Sequence, residues 1–141
     1  MTQIKQTDPD RKLRRVLSAS TISGDTVVNP AGEKLGEIKE LMIDLPSGRI
    51  AYAVLSFGGF LGMGEKLFAV PWNALTVDED QKQIVLNADK EQLKNAPGFD
   101  KDNWPDMADI GWGTQIHTYY GTHPYWESEV QGKTLRGGGG L

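Results

Sequence analysis

The stretch Arg49–Phe57 constrains the fold more than any other part of the sequence, because it is apolar on both faces of an extended strand. Successive side chains of a strand point to opposite faces. One face would carry Ile50, Tyr52 and Val54, and the other Ala51, Ala53, Leu55 and Phe57. Such a strand lies between the interior of a barrel and a second covering layer, which is either another segment of this chain or another subunit. Full burial contributes about 1.5–3 kcal/mol per side chain, more than an exposed ion pair, so packing decides the fold.

The sequence around this stretch alternates short β-branched and aromatic runs with turn residues, a pattern typical of a small all-β barrel. Further strands are predicted at residues 20–22, 26–28, 36–44, 66–72, 75–77 and 83–86. Leu45-Pro46-Ser47-Gly48 predicts a tight hairpin turn. Because Pro71 has no N–H, the strand that it ends is expected at a sheet edge or exit. Asp89 is expected to cap a short helix over residues 90–95. The expectation is therefore a barrel of about six strands with one short helix.

The composition divides the chain into three parts. Residues 1–16 carry five basic and two acidic side chains, and we expect a flexible basic arm there. Residues 17–96 hold the predicted strands and form the barrel domain. Residues 97–141 form an aromatic-rich C-terminal extension, predicted to be irregular, that ends in a frayed glycine tail.

The aromatic residues of the extension indicate protein contacts rather than contacts with nucleic acid. No Lys or Arg lies between Asp102 and Gly132 to neutralise phosphates, whereas Trp and Tyr are favoured at protein interfaces. We expect this segment to form a strap over its own barrel or a neighbour's, and the glycine-rich loop before residue 66 to offer further apolar contacts. The predicted interface residues are Phe60, Leu61, Met63, Trp104, Trp112, Tyr119, Tyr120, Tyr125 and Trp126.

Charge and cysteine content exclude several classes of function. The net charge of −4 disfavours nucleic acid as a partner, except indirectly through a ribonucleoprotein. The chain has no cysteine, which removes disulfides and thiolate metal sites and favours a cytoplasmic setting. The uncharged run over residues 50–64 is too short for a membrane span, and the N-terminus lacks the apolar stretch of a signal peptide.

The motifs for catalysis and metal binding are weak. Gly59 and Gly64 have phosphate-loop spacing, but Glu65 stands where lysine is needed and a strand is predicted to follow. The metal-ligating residue types His117, His123, Glu127 and Glu129 have no helical spacing that supports a zinc site. No set of acid, base and nucleophile is recognisable, so we expect no enzymatic activity and no cofactor.

Several spaced elements of the sequence resemble the PRC-barrel family. They are Gly24-x-x-Val27, Asn29-x-x-Gly32-Glu33-x-x-Gly36-x-Ile38, the run from Gly48 to Gly59, and Phe68-Ala69-Val70-Pro71-Trp72, within residues 20 to about 89. The resemblance implies a compact barrel of about six strands that acts as a docking module and shares no catalytic motif. This barrel occurs in the H subunit of the photosynthetic reaction centre and in the ribosome maturation factor RimM, and this chain resembles a stand-alone member.

The sequence therefore predicts a non-enzymatic adaptor or scaffold that self-associates as a homodimer. Two alternatives stay open. One is a ribosome-associated or RNA-processing role similar to that of RimM, which the basic arm and the resemblance favour. The other is a small-ligand or metal site built from His117, His123 and neighbouring carboxylates.

Overall fold

The computed structural model describes residues 16–57 and 66–127. Most of the predicted basic arm, the glycine tail, Glu129 and the three predicted interface residues Phe60, Leu61 and Met63 lie outside the described residues.

Six strands form one curled sheet, which confirms the predicted all-β fold. The strands are β1 (Thr26–Val28), β2 (Lys34–Asp44), β3 (Arg49–Phe57), β4 (Lys66–Pro71), β5 (Leu75–Asp78) and β6 (Gln83–Leu86). Their order in the sheet is β4-β3-β2-β1-β6-β5, with β1 and β6 parallel and every other pair antiparallel. The described helices are α1 (Ala19–Ile22), α2 (Lys90–Lys94) and α3 (Ile110–Tyr119), and a 3-10 turn, Trp72–Ala74, joins β4 to β5.

The β2–β3 hairpin is the longest element of the sheet, and its turn is closed as predicted. The Asp44 carboxylate accepts hydrogen bonds from the Ser47 amide at 3.1 Å and the Ser47 hydroxyl at 2.7 Å. The pairing of β1 with β2 reaches only to Glu37, and β4 pairs with β3 no further than Tyr52. Within the described chain, residues 43–50 therefore form a two-stranded ribbon, here called the hairpin end, which projects from the sheet.

The main core lies inside the curl of the sheet. Its largest fully buried side chains include Leu35, Ile38, Leu55, Phe68 and Ile84, and Leu93 of α2 belongs to the same cluster. A Cβ at Gly36 would lie 2.1 Å from the carbonyl oxygen of Ser56, so only glycine allows β2 to pass this close to β3 at that point. The capped helix predicted after Asp89 is confirmed as α2, and the Asp89 carboxylate accepts from the Gln92 amide at 2.7 Å.

The edge position predicted for the strand that ends at Pro71 is confirmed, because β4 is the outermost strand on its side of the sheet. An antiparallel bridge protects this edge: Leu67 and Phe99 exchange two backbone hydrogen bonds of 3.0 and 2.8 Å. Covering an edge in this way limits unwanted pairing with other chains.

Two local predictions differ from the structure. The strand predicted at residues 20–22 is wrong, because those residues belong to α1, where the Ser18 hydroxyl accepts from the Thr21 amide at 3.1 Å and caps the helix. The extension was expected to be irregular, but it contains α3, a ten-residue helix. Among the described residues, no helix has the length and apolar character that crossing a membrane requires.

Candidate functional site

The outer face of β3 is covered by the chain's own C-terminal extension. Tyr52 is 1% exposed and packs with Ala51, Ala69 of β4 and Ile116 of α3 in a second hydrophobic cluster, separate from the main core. The face predicted for Ala51 is wrong, because the β2–β3 register shifts at this residue and interrupts the alternation of side chains. The predicted second layer over Arg49–Phe57 is therefore confirmed. Of the two coverings that the sequence left open, the structure shows the one within a single chain.

Two residues near the start of α3 explain how the helix packs on this face: Asp109, which caps it, and Gly113, which lets it approach closely. The Asp109 carboxylate accepts from the Trp112 amide at 2.8 Å and starts the helix. A Cβ at Gly113 would lie 2.7 Å from the Trp126 ring and 2.8 Å from the Tyr52 hydroxyl. The absence of a side chain at Gly113 thus lets the helix backbone pack directly on two aromatic residues.

Five aromatic side chains, called here the aromatic cluster, lie between α3 and β3: Tyr52, Trp112, His117, Tyr125 and Trp126. Tyr52 makes edge contacts with Trp112, at 5.2 Å between ring centroids, and with Tyr125, at 6.0 Å. Trp126 meets His117 edge-on at 5.5 Å. Edge-to-face pairs of this kind contribute about 0.5–1.5 kcal/mol each beyond their burial.

His117 is fully buried at the centre of this cluster. Its Nδ1 lies 2.7 Å from the carbonyl oxygen of Gly113, and because a carbonyl only accepts, Nδ1 carries the proton. Nε2 is therefore an acceptor, and it has no hydrogen-bond partner among the described residues; the Tyr52 hydroxyl, also buried, has none either. Burial lowers the pKa of His117 below its ordinary value, against smaller opposing effects of the Gly113 hydrogen bond and the Glu127 charge.

Polar contacts tie the extension to the hairpin end. The Tyr125 hydroxyl donates to the Asp44 carboxylate at 3.0 Å, and the Arg49 guanidinium donates to the Tyr125 carbonyl oxygen at 3.3 Å. The pKa of Asp44 is lowered, first by the hydrogen bond from the Ser47 hydroxyl and further by Tyr125. Burial and Asp44 raise the pKa of Tyr125 to about 12, so its hydroxyl keeps the proton that it donates.

The predicted aromatic interface residues of the extension fall into three places. Trp112, Tyr125 and Trp126 join the aromatic cluster. Tyr119 and Tyr120 pack against the main core, and the Tyr119 hydroxyl donates to the Gln92 carbonyl oxygen of α2. Trp104 is 41% exposed, and its ring lies at a tilted angle to that of Phe99, with 5.0 Å between the ring centroids. Trp112, Tyr119, Tyr120 and Tyr125 contact their own barrel, and a role of all six residues in binding another protein stays a prediction.

The two histidines considered as metal ligands lie in different surroundings. His117 is buried with Nδ1 engaged, whereas His123 is exposed. In the part of the chain that the structure describes, no three metal-ligating side chains of the His, Cys, Asp or Glu type come together. The structure therefore does not bring the sequence-based candidates together as a set.

The hairpin end carries the exposed apolar residues that sequence reasoning missed. Leu45 at the turn is 85% exposed, and Ile43, opposite the half-buried Ile50 in the strand register, is 49% exposed. A signal for them was present, since Leu45 is an apolar residue in the predicted turn and Ile43 lies two residues before it. Exposed apolar side chains grouped on one projection are a feature of binding surfaces.

Comparisons with known proteins give one family. The family model described as PRC-barrel domain matches residues 14–93. No curated protein matches the sequence. Among solved structures, the chain is similar to one described as the 16S ribosomal RNA processing protein RimM from Pseudomonas aeruginosa, with 16% identity and a TM-score of 0.35. The similarity covers 62% of this chain and 49% of that one, so this chain matches about half of the length of that protein.

Proposed function

The chain belongs to the PRC-barrel family, and from that premise we propose that it is a non-enzymatic protein-binding adaptor that self-associates through its hairpin end. The supporting observation is the exposure of Leu45 and Ile43 on a ribbon that no other described strand flanks. A two-stranded hairpin on its own is marginally stable in water. A partner that covers its apolar side chains would stabilise it.

In the part of the chain that the structure describes, the hairpin end is held on one face and open on the other. Asp44 faces the extension, since its carboxylate accepts from Tyr125. Adjacent residues of a strand point to opposite faces, so Ile43 faces away from Tyr125. The ribbon is thus positioned by its own chain while its apolar face stays accessible to a second copy.

This surface replaces the outer face of β3 as the support for self-association. The sequence argument for a dimer used the two apolar faces of β3, and α3 covers the outer one. The hairpin end supplies an apolar surface that remains uncovered among the described residues. A cytoplasmic location stays a prediction from the cysteine-free composition.

A binding role rather than catalysis is supported by the way in which the described polar groups are used. Asp44 closes a turn and holds Tyr125, and His117 donates to a helix carbonyl inside a closed cluster. These groups act as structural contacts. No specific observation on the described residues favours the ribosome-associated role or the metal site.

Sedimentation equilibrium of the full chain at micromolar concentration tests this proposal. We expect a dimer, and we expect Leu45→Asp to weaken it at least about 30-fold, since a central interface residue contributes about 2 kcal/mol or more. Val16→Asp is the matched control, because Val16 is 90% exposed and lies outside the hairpin end; it should dimerise like the native chain. A native monomer, or a Leu45→Asp dimer of native strength, would refute the proposal.

A further inference from the structure

Residues 110–126, which comprise α3 and the segment that carries Tyr125 and Trp126, are called here the strap. We propose that the strap is an acid-released cover, in which a proton added to Nε2 of His117 lifts it from the outer face of β3. This inference is independent of the proposed adaptor function, because it concerns the opposite surface and is measured within one chain.

The described surroundings of His117 contain no acceptor for a second proton on its ring. The ring centroid lies 5.5 Å from those of Tyr52 and Trp126 and 5.9 Å from that of Tyr125. Because Nδ1 already donates to the Gly113 carbonyl, protonation must occur at Nε2, which is buried and has no hydrogen-bond partner in the described ranges 16–57 and 66–127. The product is a buried imidazolium with one unmade hydrogen bond, a costly arrangement that water would relieve.

The charged and titratable groups around the ring do not reverse this cost. Tyr52 of β3 and Tyr125 of the strap remain neutral phenols, since burial raises the pKa of each. Glu127 favours the imidazolium, but its effect is smaller than that of burial. On the hairpin end, Asp44 is already engaged by Ser47 and Tyr125, and the Arg49 guanidinium beside it carries the opposite charge.

The pH range follows from the direction of the His117 shift. The seated strap holds His117 at a pKa below 6.5, whereas a released strap exposes it to water with a pKa near 6.5. Above that pH, His117 is neutral in both the seated and the released form, so pH does not change the balance between them. As the pH falls below about 6.5, only the released form takes up the proton, so the ratio of released to seated strap rises by up to about tenfold per pH unit.

Release would uncover a defined apolar face without opening the barrel. Ala51, Tyr52 and Ala69 belong to the outer cluster, whereas Leu55 and Phe68 belong to the separate main core. Trp112 and Trp126 would pass from ring contacts into water. At the far end of α3, the contact from Tyr119 to α2 keeps the strap attached.

Tryptophan fluorescence and far-ultraviolet circular dichroism of the full chain, recorded from about pH 8 to about pH 4.5, test the inference. We expect a reversible red shift of the emission that begins as the pH falls below about 6.5, while the strand signal is retained. His117→Phe keeps an aromatic ring that cannot titrate and should abolish the shift. His123→Asn is the matched control, since it removes the chain's other histidine, which is exposed, and should behave like the native chain.

Three results would overturn the inference. They are an unchanged transition in His117→Phe, its loss in His123→Asn, and an emission that stays constant until the strand signal is also lost. If His117→Phe does not fold, nitrogen NMR of the native histidines decides instead. A His117 ring that titrates at or above 6.5 in the seated form, or that carries its neutral proton on Nε2, would be incompatible with an acid-released strap.

Discussion

The packing of α3 on the aromatic cluster depends on the absence of a Cβ atom at Gly113. In Gly113→Ala the new Cβ would lie 2.7 Å from the Trp126 ring and 2.8 Å from the Tyr52 hydroxyl, closer than real contacts allow. Both neighbours are rigid aromatic side chains in a packed cluster, so the helix must move. Overpacking of this kind costs about 1–3 kcal/mol. The helix propensity gained by replacing glycine with alanine offsets about 1 kcal/mol of that cost.

Gly111 in the same helix provides the matched comparison. A Cβ there would meet only the Asp109 carboxylate, at an ordinary contact distance of 3.4 Å, and the position is exposed. Gly111→Ala should therefore stabilise the chain by up to about 1 kcal/mol. Since the gain in propensity is common to both variants, their difference isolates the overpacking cost, expected at about 1–3 kcal/mol.

Urea unfolding of both variants and the native chain at neutral pH measures this difference. The midpoint of Gly111→Ala should lie at or above the native value and that of Gly113→Ala below the midpoint of Gly111→Ala, with equal slopes. Trp126 emission should change in the folded state of Gly113→Ala alone. If Gly113→Ala is as stable as Gly111→Ala, the close approach of α3 to Tyr52 is not a constraint on the fold, and the reasoning about the cluster fails.

Two further changes test local contacts. Asp89→Ala should cost about 1 kcal/mol in urea unfolding, because it removes the acceptor for the Gln92 amide at the start of α2, whereas Asp89→Asn should stay near native; equal losses in both would contradict the cap. Tyr125→Phe should raise the pKa of Asp44 toward 3.8 without abolishing its shift, since Ser47 is the larger cause. The stabilisation that ionised Asp44 provides above its unfolded pKa is lost as the pH falls through its folded pKa, and this loss should occur at higher pH in the variant; carbon NMR titration that finds no rise would contradict the contact.

The sheet could be predicted largely because its signals are local and strong. The apolar pattern of Arg49–Phe57 predicted burial on both faces of the strand, and the structure shows a hydrophobic cluster on each face. Pro71 predicted the edge position of β4, and Asp89 predicted the start of α2. The strand predicted at residues 20–22 was wrong because β-branched residues suggested a strand, whereas the Ser18 hydroxyl caps the first turn of a helix there.

Helix α3 was harder to recognise. Gly111 and Gly113 within ten residues lower the helix propensity, and the aromatic content suggested an irregular strap. Asp109 as a cap and the i, i+4 spacing of Trp112 and Ile116 were the available signals. Tertiary packing overrides the weak helix propensity here: Gly113 lowers the stability of the isolated helix but allows close contact with Tyr52.

The sequence pattern does not show which residues of the candidate surfaces are exposed and which are buried. Exposure depends on which face the extension covers, and no local pattern states that Tyr125 would bond to Asp44, 81 residues away. For the same reason, the buried state of His117 and the exposed state of Leu45 could not be read from residue type. Whether Trp104, Trp112 and the other aromatic residues of the extension bind a second protein remains a prediction.

The order of the two layers along the chain has a consequence for biosynthesis. The strand that needs the outer cover ends at Phe57, whereas Trp126, which helps to complete it, follows roughly 70 residues later. At about 5–20 residues per second, translation leaves that face bare for about 4–14 s in every nascent chain. Exposed apolar surface of this kind invites aggregation or capture by chaperones. The polypeptide gains its protection against aggregation only when its closing helix has emerged from the ribosome.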